Sequence, residues 1–224
     1  MKNIAIITAR GGSKRIPRKN IKEFMGKPML AWAIEAALNS EIFDEVMVST
    51  DDDEIAQIAI KYGAKVPFMR SEATSNDFAT TADVLAEVEQ EYKKRGQVFD
   101  NISCIYPCVP FLTGEILKQA YEVFINSDMS ALIPVVKFSY PIQRAFKINE
   151  GGALEYNQPQ YSLARSQDLE PMYHDVGMFY FYSKNPAKKQ GNIPYIMDES
   201  AVQDIDTMED WKMAELKYKV MYGA

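Results

Sequence analysis

Short apolar runs alternate along this chain with segments in which apolar residues recur every three or four positions. Lys2 to Ala9 carries the first run, Ile4-Ala5-Ile6-Ile7, whose lack of polar alternation predicts a strand buried on both faces. Pro28, suited to a first helical turn, precedes Met29, Leu30, Ala33, Ile34, Ala37 and Leu38 at helical spacing, so a helix follows. Glu45 to Ser49 predicts a second strand. Thr50 and the run Asp51-Asp52-Asp53 supply the cap and negative charge of a helix reaching Lys61 and stopped by Tyr62-Gly63.

The alternation continues. Val66 to Met69 predicts a third strand, Thr80 to Arg95 a third helix ended at Gly96, and Ile102 to Tyr106 a fourth strand. Thr113 caps a helix whose Ile116, Leu117, Ala120, Tyr121 and Phe124 share a face, and Ala131 to Val136 is another buried strand. Strands joined by helices of this length predict an α/β fold with a mostly parallel sheet covered on both faces. Between Lys137 and Tyr173 prolines, glycines and polar residues replace the pattern, which marks an insertion and not a linker. Val176 to Tyr182 predicts an apolar and aromatic strand, Tyr195 to Met197 an edge strand, and Thr207 to Tyr222 a closing helix.

Length and composition narrow the class. With 224 residues, 47% hydrophobic and 25% charged, the chain is expected to form one globular domain over 1–224. A net charge of -6 argues against nucleic acid as a partner, because such binding needs a broad basic face. The first apolar run is too short for a signal-peptide core and no later one approaches a membrane span, so no membrane partner and a cytoplasmic location are expected. Cys104 and Cys108 read as reduced thiols, and with His174 the only histidine a zinc site is not expected.

Against this acidic background the stretch ARGGSKRIPRKN, Ala9 to Asn20, gathers Arg10, Lys14, Arg15, Arg18 and Lys19 directly after the first strand. Open α/β sheets place ligands beside loops leaving the carboxyl ends of their strands, and Gly11-Gly12 can bring backbone amides close to an anion. The stretch matches neither a Walker A loop nor the dinucleotide fingerprint. Its cations suit a polyphosphate such as a triphosphate of about four negative charges; a solvated basic loop is the alternative the stretch alone leaves open. A polyphosphate handled chemically travels with Mg²⁺, which takes carboxylate and phosphate oxygens. In QDIDTMED, Gln203 to Asp210, Asp204 and Asp206 flank Ile205 and in extended backbone point to one face, whereas Thr207 and Asp210 suit a helix cap.

These two stretches, with RSEATSNDFATTADV from Arg70 to Val84 and RSQDLEPMYHDVGMFYFY from Arg165 to Tyr182, resemble in order the cytidylyltransferases that activate acidic sugars as CMP-sugars. The resemblance covers nearly the whole chain. It implies a Rossmann-like α/β domain whose insertion, at about 137–173, protrudes and forms a homodimer in which a neighbour completes each sugar pocket. It implies nucleotide-binding roles for Ala9, Arg10, Gly11, Ser13, Lys14, Lys19, Asn20, Arg70, Ala79 and Thr81, the last two beside cytosine. Asp204 and Asp206 would hold Mg²⁺, and with Arg10, Lys14 and Lys19 they would form the catalytic set.

The implied reaction is attack by the sugar's anomeric hydroxyl on the α-phosphorus of CTP, releasing pyrophosphate. FSYPIQRAFKI, Phe138 to Ile148, with the SQDLEP and YHD segments, resembles the members of this family that act on nonulosonic acids, which implies pseudaminic acid first, with N-acetylneuraminic and legionaminic acids as alternatives. Gln143, Arg144, Arg165, Gln167, Tyr173, Phe179 and Tyr180 are expected at the sugar, an arginine fork answering its carboxylate, and His174 is read as a structural residue. Two rivals are weaker. An Asp-x-Asp glycosyltransferase has no comparable need of the cationic loop, and a non-catalytic nucleotide-binding protein has no need of both the lysines and the aspartates.

Overall fold

The first apolar run forms β1 (Asn3–Thr8), with Ile4 to Ile7 buried, in a computed structural model that describes residues 1–223. A short hairpin, β2 (Glu23–Phe24) and β3 (Lys27–Pro28), follows the basic loop and leads into α1 (Met29–Asn39), which buries Leu30, Ala33, Ile34 and Ala37 along one stripe. β4 (Glu45–Ser49) is buried throughout, and α2 (Asp53–Lys61) begins where the Asp52 side chain accepts from the Ile55 amide at 3.0 Å. After one polar turn, α3 (Glu72–Ser75), α4 (Thr81–Lys94) opens on a reciprocal box between Thr80 and Asp83. β5 (Asn101–Ile105), α5 (Gly114–Asn126) capped by Thr113, and β6 (Met129–Lys137) complete the alternation.

The strand predicted at Val66 to Met69 does not form. Lys65 alone joins the sheet, bonding Val46 and Val48 through its backbone at 2.9 Å, and Pro67 has no N–H with which to extend the ladder. The insertion folds into its own hairpin, β7 (Phe146–Ile148) and β8 (Leu154–Tyr156), outside the main sheet. The aromatic strand predicted from Val176 to Tyr182 is split into β9 (Tyr173–Asp175) and β10 (Phe179–Ser183) by a bend at which Gly177 has a φ of 62°. β9 pairs with Val135 to Lys137 and β10 with Ala131 and Leu132, so the bend carries the chain between two stations on β6. β11 (Lys189–Ile196) is longer than predicted and closes one edge, where Pro194 is tolerated. α6 (Met208–Tyr222) starts at a box between Thr207 and Asp210 and stops at Gly223, φ 69°.

The main sheet has the order β11-β6-β10-β5-β1-β4, with β9 beside β6. β1 is parallel to β4 and β5, and β11 to β6, while β9 and β10 run the other way: the sheet is mostly parallel, as predicted. Its faces are covered by two apolar clusters, one joining Ile7, Val48 and Phe181 to Leu30, Ile34, Leu117 and Phe124, the other joining Ile4, Ile6 and Met47 to Leu85, Val88 and Tyr92. Among the described residues no helix is long and apolar enough to cross a membrane.

A third cluster positions the site. Ile16 of the basic loop, Phe24, Met29, Phe111, Ile205 and Trp211 pack together, with Phe24 edge-on to Trp211 at 5.5 Å. Burying an isoleucine side chain fully stabilises by about 1.5–3 kcal/mol. Ile16 and Ile205 therefore pin the amino-terminal loop and the approach to α6 to one another.

Candidate active site

The chain leaves β1 for β4 on one side through α1 and later enters β5 on the other side, so the crevice at the carboxyl ends of β1 and β5 is where an open α/β sheet holds ligands. Two adjoining cavities open there. The smaller, of about 390 Å³, is walled by the basic loop, including Arg10, Ser13, Lys14, Arg15, Lys19 and Asn20. The larger, of about 660 Å³, runs past Tyr106, His174, Asp175, Tyr180 and Asp204. Lys19, Pro107 and Asp206 wall both.

Cations and carboxylates from the two ends of the chain meet at this junction. Arg15 Nη1 stands 2.8 Å from Asp206 Oδ2, and Lys19 Nζ donates to the Ile205 carbonyl at 2.7 Å while lying 3.6 Å from Asp206 Oδ1. Ile205 is buried, Asp204 exposed and Asp206 half-buried, the alternation of extended backbone, and both carboxylates face the larger cavity. The Asp206 amide also donates to Asp210 Oδ2 at 3.1 Å, which ties the acidic segment to the start of α6. Mg²⁺ is held by one or two carboxylates together with phosphates and water, and Asp204 and Asp206 meet that requirement. Among the described residues no larger group of carboxylate, histidine or cysteine ligands is assembled.

The basic loop is held from below by acidic residues at the start of α2. The Gly11 amide donates to Asp51 Oδ1 at 2.9 Å, so it is not aimed at an anion as the Gly-Gly pair suggested. A Cβ on Gly11 would lie 2.8 Å from Asp52 Oδ2, so a larger residue there would have to displace the Asp52 carboxylate. Arg18, at a φ of 56°, forks onto Asp52 and onto Glu54 at 2.5 Å. That hydrogen bond holds the Asp52 carboxyl below the usual range despite partial burial. Asn20 is buried, donates to the Arg10 carbonyl at 2.8 Å and accepts from the Cys108 thiol at 3.3 Å. Burial pushes that thiol up to about 12, so it stays a neutral donor. The Ala9 amide bonds Ser49 at 3.0 Å, and Arg10 and Lys14 both reach Asp77, at 2.9 and 2.5 Å.

A profile of the family described as "Cytidylyltransferase" matches residues 4–210. The chain belongs to the cytidylyltransferase family. It is 44% identical to the pseudaminic acid cytidylyltransferase of Campylobacter jejuni over 226 residues, 98% of this chain and 97% of that protein. To the CMP-N,N'-diacetyllegionaminic acid synthase of Legionella pneumophila it is 31% identical, across 96% of this chain and 95% of the other. A solved structure of CMP:2-keto-3-deoxy-manno-octonic acid synthetase complexed with CTP superposes with a TM-score of 0.69 at 18% identity, covering 100% of both chains. That likeness concerns the fold, which is the Rossmann-like α/β arrangement implied by the sequence resemblance.

Not every expected residue of this cytidylyltransferase reaches the crevice. Arg70 is buried, donating to Ser49 Oγ at 3.0 Å and to the Ser49 carbonyl at 2.6 Å, and desolvation pulls its guanidinium below the usual value against the opposing charges of Asp51 and Glu87. It braces the end of β4 and lines neither cavity. Thr81 Oγ1 stands 3.3 Å from the Tyr106 hydroxyl, one contact from the larger cavity, and the Ala79 amide is turned into its own loop, donating to Asn76 Oδ1 at 3.0 Å.

Most of the residues expected at the sugar lie away from the two cavities. Phe179 is 0% exposed, its ring 5.8 Å from Phe181 and 6.4 Å from Tyr195, and it lines neither cavity. Strand alternation turns its neighbour Tyr180, also expected at the sugar, to the cavity. Gln143 is buried and donates to the Glu170 carbonyl at 2.8 Å, Arg165 forks onto Asp168 at 2.7 and 3.1 Å, and Arg144, Gln167 and Tyr173 likewise lie outside the lining of both cavities. Gln143 and Arg165 use their donors within the insertion, whereas Arg144 Nε is buried without a hydrogen-bond partner among the described residues.

Three residues at the crevice escaped the sequence reading: Asp77, Tyr106 and Asp175. Asp175 accepts from the Tyr180 hydroxyl at 3.0 and 2.9 Å and from the Gly177 amide at 2.8 Å. Burial first, and then this carboxylate, push the Tyr180 phenol well above its ordinary value. Asp77 and Asp175 both sit inside the quoted motifs, so the motifs carried the signal, but neither reach is visible before the loops fold. His174 lines the larger cavity, bonds the Asp175 carbonyl at 2.9 Å and stands 4.7 Å from the Phe138 ring, so a structural duty and a place at the site coincide.

Proposed function

We propose that this cytidylyltransferase joins CTP to a nonulosonic acid, pseudaminic acid, giving the CMP-sugar and pyrophosphate. The anomeric oxygen bonds to the α-phosphorus, the bond from that phosphorus to the bridging oxygen of pyrophosphate breaks, and the hydroxyl proton is lost. The observation that carries this reading is the near end-to-end identity of 44% with a pseudaminic acid cytidylyltransferase, in a chain whose cations and carboxylates converge on one crevice.

Little covalent help from the protein is needed for such a transfer, so positioning and charge neutralisation dominate. Arg10, Lys14 and Lys19 hold the phosphates, with Ser13, Asn20 and the backbone of Ala9 and Gly11 shaping their seat. Ala79 and Thr81 border the cytosine, and Arg70 acts from beneath. Asp204 and Asp206 are the residues proposed to hold Mg²⁺, which when bound polarises the α-phosphate. Tyr180 and Asp175 orient the sugar in the larger cavity.

The insertion is proposed to make a homodimer. Tyr140, Phe146, Ile148, Leu154 and Leu163 are exposed on it, and a second copy of this chain would cover them. Arg144, Arg165, Gln143, Gln167 and Tyr173 would then serve a neighbour's sugar. A cytoplasmic location is proposed from the need for CTP and from the free thiols Cys104 and Cys108.

Incubation with CTP, Mg²⁺ and, in separate vessels, pseudaminic, N-acetylneuraminic and legionaminic acids tests the reading, with pyrophosphate release and the mass of the CMP-sugar as readouts. Turnover is expected chiefly with pseudaminic acid. Preference for another acid overturns the substrate, and CTP binding without release from any of them overturns the reaction.

A further inference from the structure

Asp77 sits on two of the cations that the reaction needs. Its Oδ1 accepts from Arg10 Nη1 at 2.9 Å and its Oδ2 from Lys14 Nζ at 2.5 Å. Both cations wall the smaller cavity, whereas Asp77 reaches them from the loop between α3 and α4. Asn76 shapes that loop: its Nδ2 donates to the Ala73 carbonyl at 2.8 Å, and its Oδ1 accepts from the amides of Phe78 and Ala79 at 2.8 and 3.0 Å. Asp77 is thus presented by a turn whose next residues are Phe78, 93% exposed, and Ala79, expected beside the base.

Among the described residues the carboxylate makes no cap and no bond to backbone, and its side chain is half exposed. Exposed ion pairs of this kind add little stability, but an anion beside a phosphate site changes the field that a polyanion meets. Lys14 and then Arg10 hold the Asp77 carboxyl below the usual carboxylate range, so it is charged throughout the neutral range.

We propose that Asp77 is a built-in competitor of the nucleotide's polyphosphate, holding Arg10 and Lys14 until phosphate takes them and reclaiming them as pyrophosphate leaves. A triphosphate outbids one carboxylate through its greater charge, and the displaced Asp77, still close by, repels it. The consequence is weaker binding of CTP and pyrophosphate than the cations alone would give, and faster release of product. Because Asp77 and Ala79 share one turn, exchange at the phosphates also shifts the segment expected to border the base.

The inference rests on the reading of Arg10 and Lys14 as phosphate holders, and the test separates the two. CTP and inorganic pyrophosphate are titrated calorimetrically, at fixed ionic strength, into the full chain and into Asp77→Asn, Glu72→Gln and Lys14→Ala. Glu72 is an exposed acid in neighbouring α3 and controls for net charge. Asp77→Asn is expected to bind both anions about three- to ten-fold tighter, within the roughly two- to thirty-fold span of two exposed ion pairs, with Glu72→Gln changing less than about two-fold. Affinity that is unchanged or weaker in Asp77→Asn, or equal tightening in Glu72→Gln, overturns the competitor role. Should Lys14→Ala leave CTP affinity as it was, the phosphate reading itself falls, and the competitor role with it.

Discussion

The Lys19 ammonium donates to the carbonyl of Ile205 at 2.7 Å, joining two positions 186 residues apart at the wall between the two cavities. A cation placed there can serve leaving phosphates on one side and the acidic pair on the other. Lys19→Met keeps the apolar stem and removes the charge. We expect kcat/KM to fall by about 10²–10³, as for loss of one preorganised charge donor. Loss of the tether should lower Tm by about 2–4 °C. Steady-state kinetics and a thermal melt on the same sample check both; a melt that shifts without a loss of rate would reduce Lys19 to a strut.

Asp204 is exposed, and among the described residues no side-chain hydrogen bond or ion pair uses its carboxylate. Asp204→Ala should therefore fold normally and lose turnover far more than CTP affinity, by about 100-fold against a few-fold. Chelation of divalent metal should abolish turnover in the parent, and Mg²⁺ should restore it. Comparable losses of rate and affinity in Asp204→Ala would place Asp204 in ground-state binding.

Asp52 caps α2 and receives the Arg18 fork. Asp52→Ala removes both and should cost about 1–2 kcal/mol, while Asp52→Asn keeps a cap and costs less. Arg18 holds the Asp52 carboxyl below its ordinary value, so folding favours the ionised form. This contribution is fully present above the ordinary carboxylate value of roughly pH 4 and disappears as pH falls through the depressed folded value. Urea titrations from pH 7 downwards should show a constant gap between parent and Asp52→Asn until about pH 4, then a narrowing one. Closure of the gap already between pH 7 and pH 5 would contradict the assignment.

Phe179 and Tyr180 are neighbours with opposite duties. Phe179→Ala opens the core and should cost about 3–5 kcal/mol with substrate KM values unchanged in whatever folds. Tyr180→Phe keeps the ring and loses the hydroxyl that Asp175 accepts, so the sugar KM should rise several-fold while the CTP KM holds. Denaturant unfolding and bisubstrate kinetics distinguish them; a CTP KM that moves in Tyr180→Phe would refute its place on the sugar side.

Burial pushes the Cys104 thiol up to about 12, and the residue is 0% exposed. The unfolded thiol ionises near pH 8.5 by ordinary values, so this group's contribution to stability is whole below that pH and is lost as pH rises towards the folded value. Native protein at pH 8.5 should resist alkylation at Cys104 until urea is added, as read by peptide mass spectrometry. Rapid native labelling would show the strand to be open to solvent.

The element types were legible because their causes are local. The apolar run of β1 and the boxes Thr80 with Asp83 and Thr207 with Asp210 each depend on residues within a turn of one another. So was the kind of chemistry, since Arg10 to Asn20 and Asp204 to Asp206 declare their charges in one dimension. Val66 to Met69 failed as a strand because apolar character outweighed Pro67 in the reading, and the split at Gly177 because a bend between two stations on β6 has no local signature.

The sequence by itself determined most of the strands and helices of the alternating core, and which segments carry anions and cations. Only the tertiary structure decided who meets whom: Arg15 and Lys19 at Asp206, Arg18 at Asp52, Arg10 and Lys14 at Asp77, and which of the expected aromatics, Tyr180, lines the cavity. The reason is physical. Caps and periodicity act within one turn of chain, whereas charge pairing follows distance in space, and here that distance is set by Ile16 and Ile205 sharing one apolar cluster.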